Sequence, residues 1–192
     1  APLEVIAGKE LRISLPDVVV VRTGHTASVA EADSARTSHG AGDKLVTDRT
    51  TLTYTSETDY YGWDAIGVRV TDGEGPDDPK GNSAYLSIPI RVLPAENEPP
   101  TLKESTIAVV PGEATAEVNL TKLTSDPNPA DAGQFRYNLQ SVPAGFTANL
   151  VDGQLQVGAG GSTKVGTIAQ IPVEVSDLHG GTSVGRVNVL VT

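Results

Sequence analysis

"IGVRVTDGEG" at 66–75 and "IPVEVSDLHG" at 171–180 have one shape, and reading them together decides the fold. In each, apolar β-branched residues alternate with polar ones and then give way to an acid and a glycine. A period of two is that of a strand with one buried face. Ile66, Val68 and Val70 therefore fall on one side, as do Ile171, Val173 and Val175. A second pair lies nearer the start of each half. "VIAGKELRISL" (5–15) and "VVPGEATAEVNL" (109–120) both read as a strand, a glycine turn and a second alternating strand. Gly8 aligns with Gly112 and Asp72 with Asp177, so the offset stays near 104 to 105 residues, the mark of an internal duplication.

Between the copies stands "LPAENEPP" (93–100). Pro99 and Pro100 remove two backbone donors and fix φ, so no strand runs through them. So short a proline connector is semi-rigid, which predicts two modules held end to end and an elongated chain. Each copy offers about seven short strands, the number of an immunoglobulin-like sandwich. In the first they are expected near 3–7, 10–21, 27–31, 44–47, 50–55, 66–71 and 84–93. In the second they are expected near 106–110, 113–120, 134–141, 146–151, 154–158, 167–176 and 182–191. The fold class is all-β, with two tandem immunoglobulin-like β-sandwiches over 1–95 and 101–192 and a linker at 96–100.

Composition agrees. Thirteen prolines, 20 glycines and 4% aromatics oppose helices, while valine and threonine favour strands. A net charge of −10 excludes a nucleic-acid binder, which needs a basic face, and disfavours contact with an anionic membrane. No apolar run approaches the ~18 residues that span a bilayer, so this segment is expected to make no membrane contact. With no cysteine, disulfides and thiolate zinc sites are excluded. With no methionine even at position 1, the chain reads as a piece of a longer precursor.

Three stretches resemble the tandem cadherin-like and immunoglobulin-like repeats of large bacterial cell-surface proteins. "YTSETDYYGWDAIGVRVTDGEG" (54–75) looks like that family's Tyr-x-Gly-x-Asp…Val-x-Asp-Gly pattern, and "VEVSDLHGGTSVGRVNVLVT" (173–192) like the closing hairpin of a cadherin repeat. "AENEPP" (95–100) occupies the place of the acidic Asn-Asp-Asn-x-Pro joint. The resemblance implies cadherin-like sandwiches, an extracellular or cell-surface setting, and neighbouring repeats of the same chain as partners.

It also implies a place for calcium. In cadherins the ion sits at the joint and takes oxygens from the first domain's lower loop, the linker and the next domain's upper loops, because calcium needs ~6–8 oxygen ligands. Here the matching positions are Glu57, Asp59 and Asp64 in copy one, and Glu96, Asn97 and Glu98 in the linker. Copy two adds Asp126, Asn128 and Asp131 from "SDPNPAD" (125–131), and then Asp177. Asp126 and Asn128 resemble the family's Asp-x-Asp with an amide for the second acid, and Asp177 the acid of its Ala-x-Asp. Copy one lacks the family's Leu-Asp-Arg-Glu, and the linker lacks the Asn-Asp-Asn core. These departures weigh toward the plainer reading, in which the same acids end loops and form Asx turns without an ion.

Other features point to chemistry less well. His25, His39 and His179 lie in separate loops with no acid or nucleophile at motif spacing. "HGG" (179–181) stands without any Gly-x-Ser-x-Gly, and "GAGGSTKVG" (158–166) fits no phosphate-binding fingerprint. Tyr60, Tyr61 and Trp63 form an aromatic cluster, expected to be structural, with Trp63 largely buried and its N–H bonded. The function expected is a non-enzymatic structural or adhesion stalk segment of a larger bacterial surface or secreted protein. The alternative is a module that binds a glycan or a protein through the 60–63 aromatics or the acid-rich loop 71–82.

Overall fold

The computed structural model of the chain describes residues 1–42 and 44–192. The chain divides into two compact units, Ala1–Glu96 and Asn97–Thr192. Each is a two-layered all-β sandwich.

Unit 1 contains β1 (Leu3–Ile6), β2 (Glu10–Ser14), β3 (Ser28–Arg36), β4 (Val46–Asp48), β5 (Thr51–Thr55), β6 (Gly62–Thr71) and β7 (Ser83–Leu93). One sheet has the order β1-β7-β6-β3 and the other β2-β5-β4. In unit 2 the strands are β8 (Thr101–Leu102), β9 (Ser105–Val109), β10 (Ala116–Asn119), β11 (Thr124–Ser125), β12 (Arg136–Leu139), β13 (Phe146–Val151), β14 (Gln154–Ala159), β15 (Ile168–Ser176) and β16 (Thr182–Val191). Its main sheets run β12-β15-β16-β9 and β10-β14-β13, with β8 and β11 as a separate pair.

The two units share their connections. β1 lies parallel to β7, and β9 parallel to β16. The chain then crosses to the opposite sheet through a tight turn at Gly8 or Gly112, with φ of 74° and 75°. Residues with a Cβ rarely adopt that conformation, which is why glycine stands at both places. Lys9 N donates to the Ile6 carbonyl at 3.0 Å, and Glu113 N to that of Val110 at 3.2 Å.

The alternation read from the sequence is the core. Ile66, Val68 and Val70 are buried on β6, and Ile171, Val173 and Val175 on β15. They face Ile13, Leu52 and Tyr54 in unit 1, and Val118, Leu155 and Val157 in unit 2.

The strand expected over 10–21 ends at Ser14. A helical turn, α1 (Leu15–Val18), follows it, and unit 2 repeats the device as α2 (Leu120–Leu123). Pro16 explains the first, because it suits the first turn of a helix and cannot donate to a strand. Asn119 explains the second, its side chain accepting Lys122 N at 3.0 Å as an N-cap. Leu15 and Leu120 are fully buried at the entry of each turn. The loops that follow carry the residues that matter below.

On β15, replacing the buried Ile171 with alanine is expected to cost about 2–5 kcal/mol by chemical denaturation. Ile168→Ala, on the same strand but 70% exposed, is expected to stay within about 0.5 kcal/mol of the parent. Equal effects at the two positions would contradict this burial pattern.

Candidate functional site

Three acids of unit 2 converge. Each of Asp126, Asp131 and Asp177 offers a carboxylate oxygen, and these oxygens lie within 4.8 Å of one another. Asp126 follows β11, Asp131 closes a 3₁₀ turn over Pro129–Asp131, and Asp177 starts the turn after β15.

Local chemistry sets each one. Asp126 forms an Asx turn, its Oδ1 accepting Asn128 N at 2.7 Å. Pro129 opens the 3₁₀ turn, whose three-residue period brings Asp131 back to the side of Asn128. Asp177 Oδ1 accepts His179 N at 2.7 Å and Gly181 N at 2.8 Å. Its Oδ2 takes the Asn97 amide at 2.9 Å. A side chain at Gly181 would collide with that Oδ2, 2.3 Å from its Cβ position.

Asp131 is the deepest, with 1% of its surface exposed. Its Oδ1 meets His179 Nδ1 at 2.7 Å and Leu178 N at 3.3 Å. Its Oδ2 is buried without a hydrogen-bond partner, and so is Oδ2 of Asp126. An unpaired buried carboxylate oxygen is costly, and this cluster holds two of them.

Asp126 and Asp177 titrate in opposite directions. Burial raises Asp126 above the ordinary carboxylate range against the lowering effect of the Asn128 N–H, and repulsion from Asp131 and Asp177 adds to the rise. Burial also pushes Asp177 upward, but the Asn97 amide, the Gly181 and His179 N–H groups and the His179 charge bring it below its usual value. Three hard oxygen donors at this spacing suit calcium better than zinc, which favours nitrogen and sulfur.

The other candidate ligands fall in different places. Asn97 joins this cluster through Asp177, and Asn128 Oδ1 accepts Glu98 N at 2.8 Å. Glu96 is exposed at the end of unit 1. Glu57 is exposed, its carboxylate 3.9 Å from His39 Nδ1, and Asp59 accepts the Thr58 hydroxyl at 2.9 Å. Asp64 turns into unit 1. It accepts the Tyr54 hydroxyl at 2.7 Å, Ala65 N at 2.8 Å, His39 N at 3.1 Å and Ser38 N at 3.2 Å. Burial opposes its ionisation, yet these donors hold it below the usual carboxylate range. Burial and the adjacent Asp64 carboxylate push the Tyr54 hydroxyl up.

Asp131, which the sequence offers beside Asp126 and Asn128, has no counterpart in the family's motif. The family's pattern stops at the second position of Asp-x-Asp, and the signal lay in Pro129 as the start of a tight turn. The expectation for Trp63 is overturned. β6 begins at Gly62, so Trp63 lies in a strand, and the parity that buries Asp64 and Ile66 turns it outward, 61% exposed. Tyr60 donates its hydroxyl to the Trp63 carbonyl and stacks on His39, ring centroids 3.6 Å apart. The buried aromatic of this region is Tyr54.

No protein-family model matches the sequence, and no curated protein matches it. Similar solved structures include the human desmocollin-1 ectodomain, at 14% identity and a TM-score of 0.47 over 98% of this chain and 35% of that one. Chicken VE-cadherin EC1-2 matches at 13% identity and a TM-score of 0.40, over 100% of this chain and 97% of that one. An endo-fucoidan hydrolase of glycoside hydrolase family 107 matches at 15% identity and a TM-score of 0.40, over 100% of this chain and 28% of that one. The chain spans about a quarter to a half of the length of the first structures it matches. Likeness at this level assigns no activity.

Asp64 yields a pH test. A carboxyl whose folded pKa is depressed adds stability above its unfolded value, near 3.8, and loses it as pH falls through the lower folded value. Asp64→Asn is therefore expected to destabilise the chain at pH 7 and to flatten the acid limb of its stability below about pH 4 in urea titrations. An unchanged acid limb would remove Asp64 from this role.

Proposed function

We propose that the chain is a non-enzymatic structural or adhesive segment whose second unit is completed by calcium held among Asp126, Asp131 and Asp177. The observation that carries this reading is Asp131, a fully buried acid with one oxygen unpartnered beside two further carboxylates. Bound there, calcium would supply the charge and the oxygen partners that the cluster lacks. Asn97, through Asp177, and His179, through Asp131, orient the acids from outside. The repeated sandwiches, the acidic composition and the proline linker support a place among neighbouring repeats outside a bacterial cell. Extracellular calcium modules bind with dissociation constants of about 10⁻⁴–10⁻³ M, which suits a site of few ligands.

The test is thermal unfolding with calcium and with chelator. A ligand bound by the folded state alone stabilises it by about 2.7 kcal/mol at a hundredfold excess over Kd. Calcium is expected to raise Tm, and magnesium less, because it resists irregular oxygen cages. The raised pKa of Asp126 fixes a further sign. Such a carboxyl destabilises the folded state once it ionises, and the cost lifts as it protonates at low pH. Asp126→Asn is thus expected to melt higher than the parent in chelator at pH 7, and to gain nothing from calcium. Identical parent curves in calcium and chelator would overturn the reading.

A second reading has its own observation. Trp63 is 61% exposed beside Tyr61 and faces the Arg91–Glu4 pair across β7 and β1, an aromatic and charged surface of the kind that stacks on a sugar. Trp63→Ala is expected to change stability by less than about 0.5 kcal/mol while abolishing any retention on wall polysaccharide. Undiminished retention would count against a glycan at this face.

A further inference from the structure

Unit 1 carries a counterpart of Asp177. Asp72 follows β6 as Asp177 follows β15, at the offset of the duplication, and it is 8% exposed. The neighbouring loop differs. After α2 it delivers Asp126, whereas after α1 it delivers Arg22, again near the repeat offset. One copy therefore adds a negative charge beside this acid, and the other a positive one.

The Arg22 contacts are those a cation would make. Its Nε lies 2.9 Å from Asp72 Oδ2, and Nη2 donates to the Lys80 carbonyl at 2.8 Å. The guanidinium thus joins a carboxylate oxygen and a main-chain oxygen at opposite ends of the 72–82 loop. Asp72 Oδ1 accepts Asn82 N at 2.6 Å, and its carbonyl lies 3.1 Å from His25 Nδ1. The Asn82 N–H lowers the Asp72 pKa most, and Arg22 adds to the lowering at both Asp72 and Asp78. Arg49 pins the same loop, Nη2 donating to the Glu74 carbonyl at 2.8 Å. Asp78 is used inside the loop, accepting Lys80 N at 2.9 Å and Glu74 N at 3.0 Å.

We infer that Arg22 is the resident cation of unit 1, supplying to Asp72 the charge for which unit 2 recruits a divalent ion, so that the 72–82 loop is held without metal. A guanidinium keeps its charge at every physiological pH and presents its donors in a fixed fork, so this closure is permanent where the other depends on ion supply. The contrast rests on the calcium reading of unit 2, but the role of Arg22 does not. Arg22 acts as a positioning residue for the loop. Its consequence is a division of labour between two copies of one scaffold, the first insensitive to calcium and the second set by it.

Hydrogen exchange of the full chain, read by mass spectrometry in chelator and in millimolar calcium, tests this. In the parent, calcium is expected to slow exchange around 126–131 and 177–181 and to leave 72–82 unchanged. Arg22→Gln is expected to speed exchange over 72–82 by roughly tenfold or more, as loss of a charged hydrogen bond implies, while Arg22→Lys retains most of the protection. Calcium-dependent protection of 72–82 in the parent would overturn the inference, as would parent-like exchange in Arg22→Gln. If calcium changes neither segment but Arg22→Gln still loosens 72–82, the calcium reading of unit 2 falls and the resident cation stands.

Discussion

A carboxylate withdrawn from water must find donors or positive charge, since an unpaired one costs several kcal/mol. The chain meets this constraint in three ways. Asp64 is surrounded by a tyrosine hydroxyl and three backbone N–H groups, all neutral, and they suffice to keep it ionised. Asp72 takes a backbone N–H and a guanidinium. The triad of unit 2 has a histidine, an amide and several N–H groups, yet two buried oxygens are left over and Asp126 resists ionisation. The first two arrangements are complete in themselves. The third leaves the Oδ2 atoms of Asp126 and Asp131 without a partner.

This difference sits on a shared scaffold. Both copies cross between sheets at a positive-φ glycine, bury a leucine at the entry of a short helical turn, and place an aspartate after the same inward-facing strand. Because those elements fix where the loops emerge, the identity of one residue after the helical turn decides the electrostatics of each end. Arginine there makes unit 1 self-sufficient. Aspartate there, with Asp131 brought round by a proline-initiated turn, gathers three carboxylates in unit 2, where we propose that calcium binds. Function on such a scaffold is a property of loops.

The parts of this that were legible in the sequence are those with a period. Alternation at Ile66–Val70 and Ile171–Val175 located the core strands, and the constant offset paired corresponding segments of the two units. The strand over 10–21 was read too long because "ISLPDVVV" is β-rich and Pro16 was passed over as a helix starter. Burial of Trp63 follows from the habit of aromatics to plug a sandwich, but counting back by twos from Ile66 puts it outside. Asp126 and Asp177 were legible through the family's spacing. Arg22 was not, since its partner Asp72 lies about 50 residues away along the chain and only tertiary structure brings the two together.

The account turns on whether the three acids of unit 2 hold an ion. Crystals grown in calcium and measured for anomalous scattering would settle this directly. The account requires a peak among Asp126, Asp131 and Asp177, with their oxygens at about 2.3–2.6 Å from it and the free Oδ2 atoms of Asp126 and Asp131 among the ligands. Ordered water bridging those two oxygens, with no anomalous peak at millimolar calcium, would contradict it.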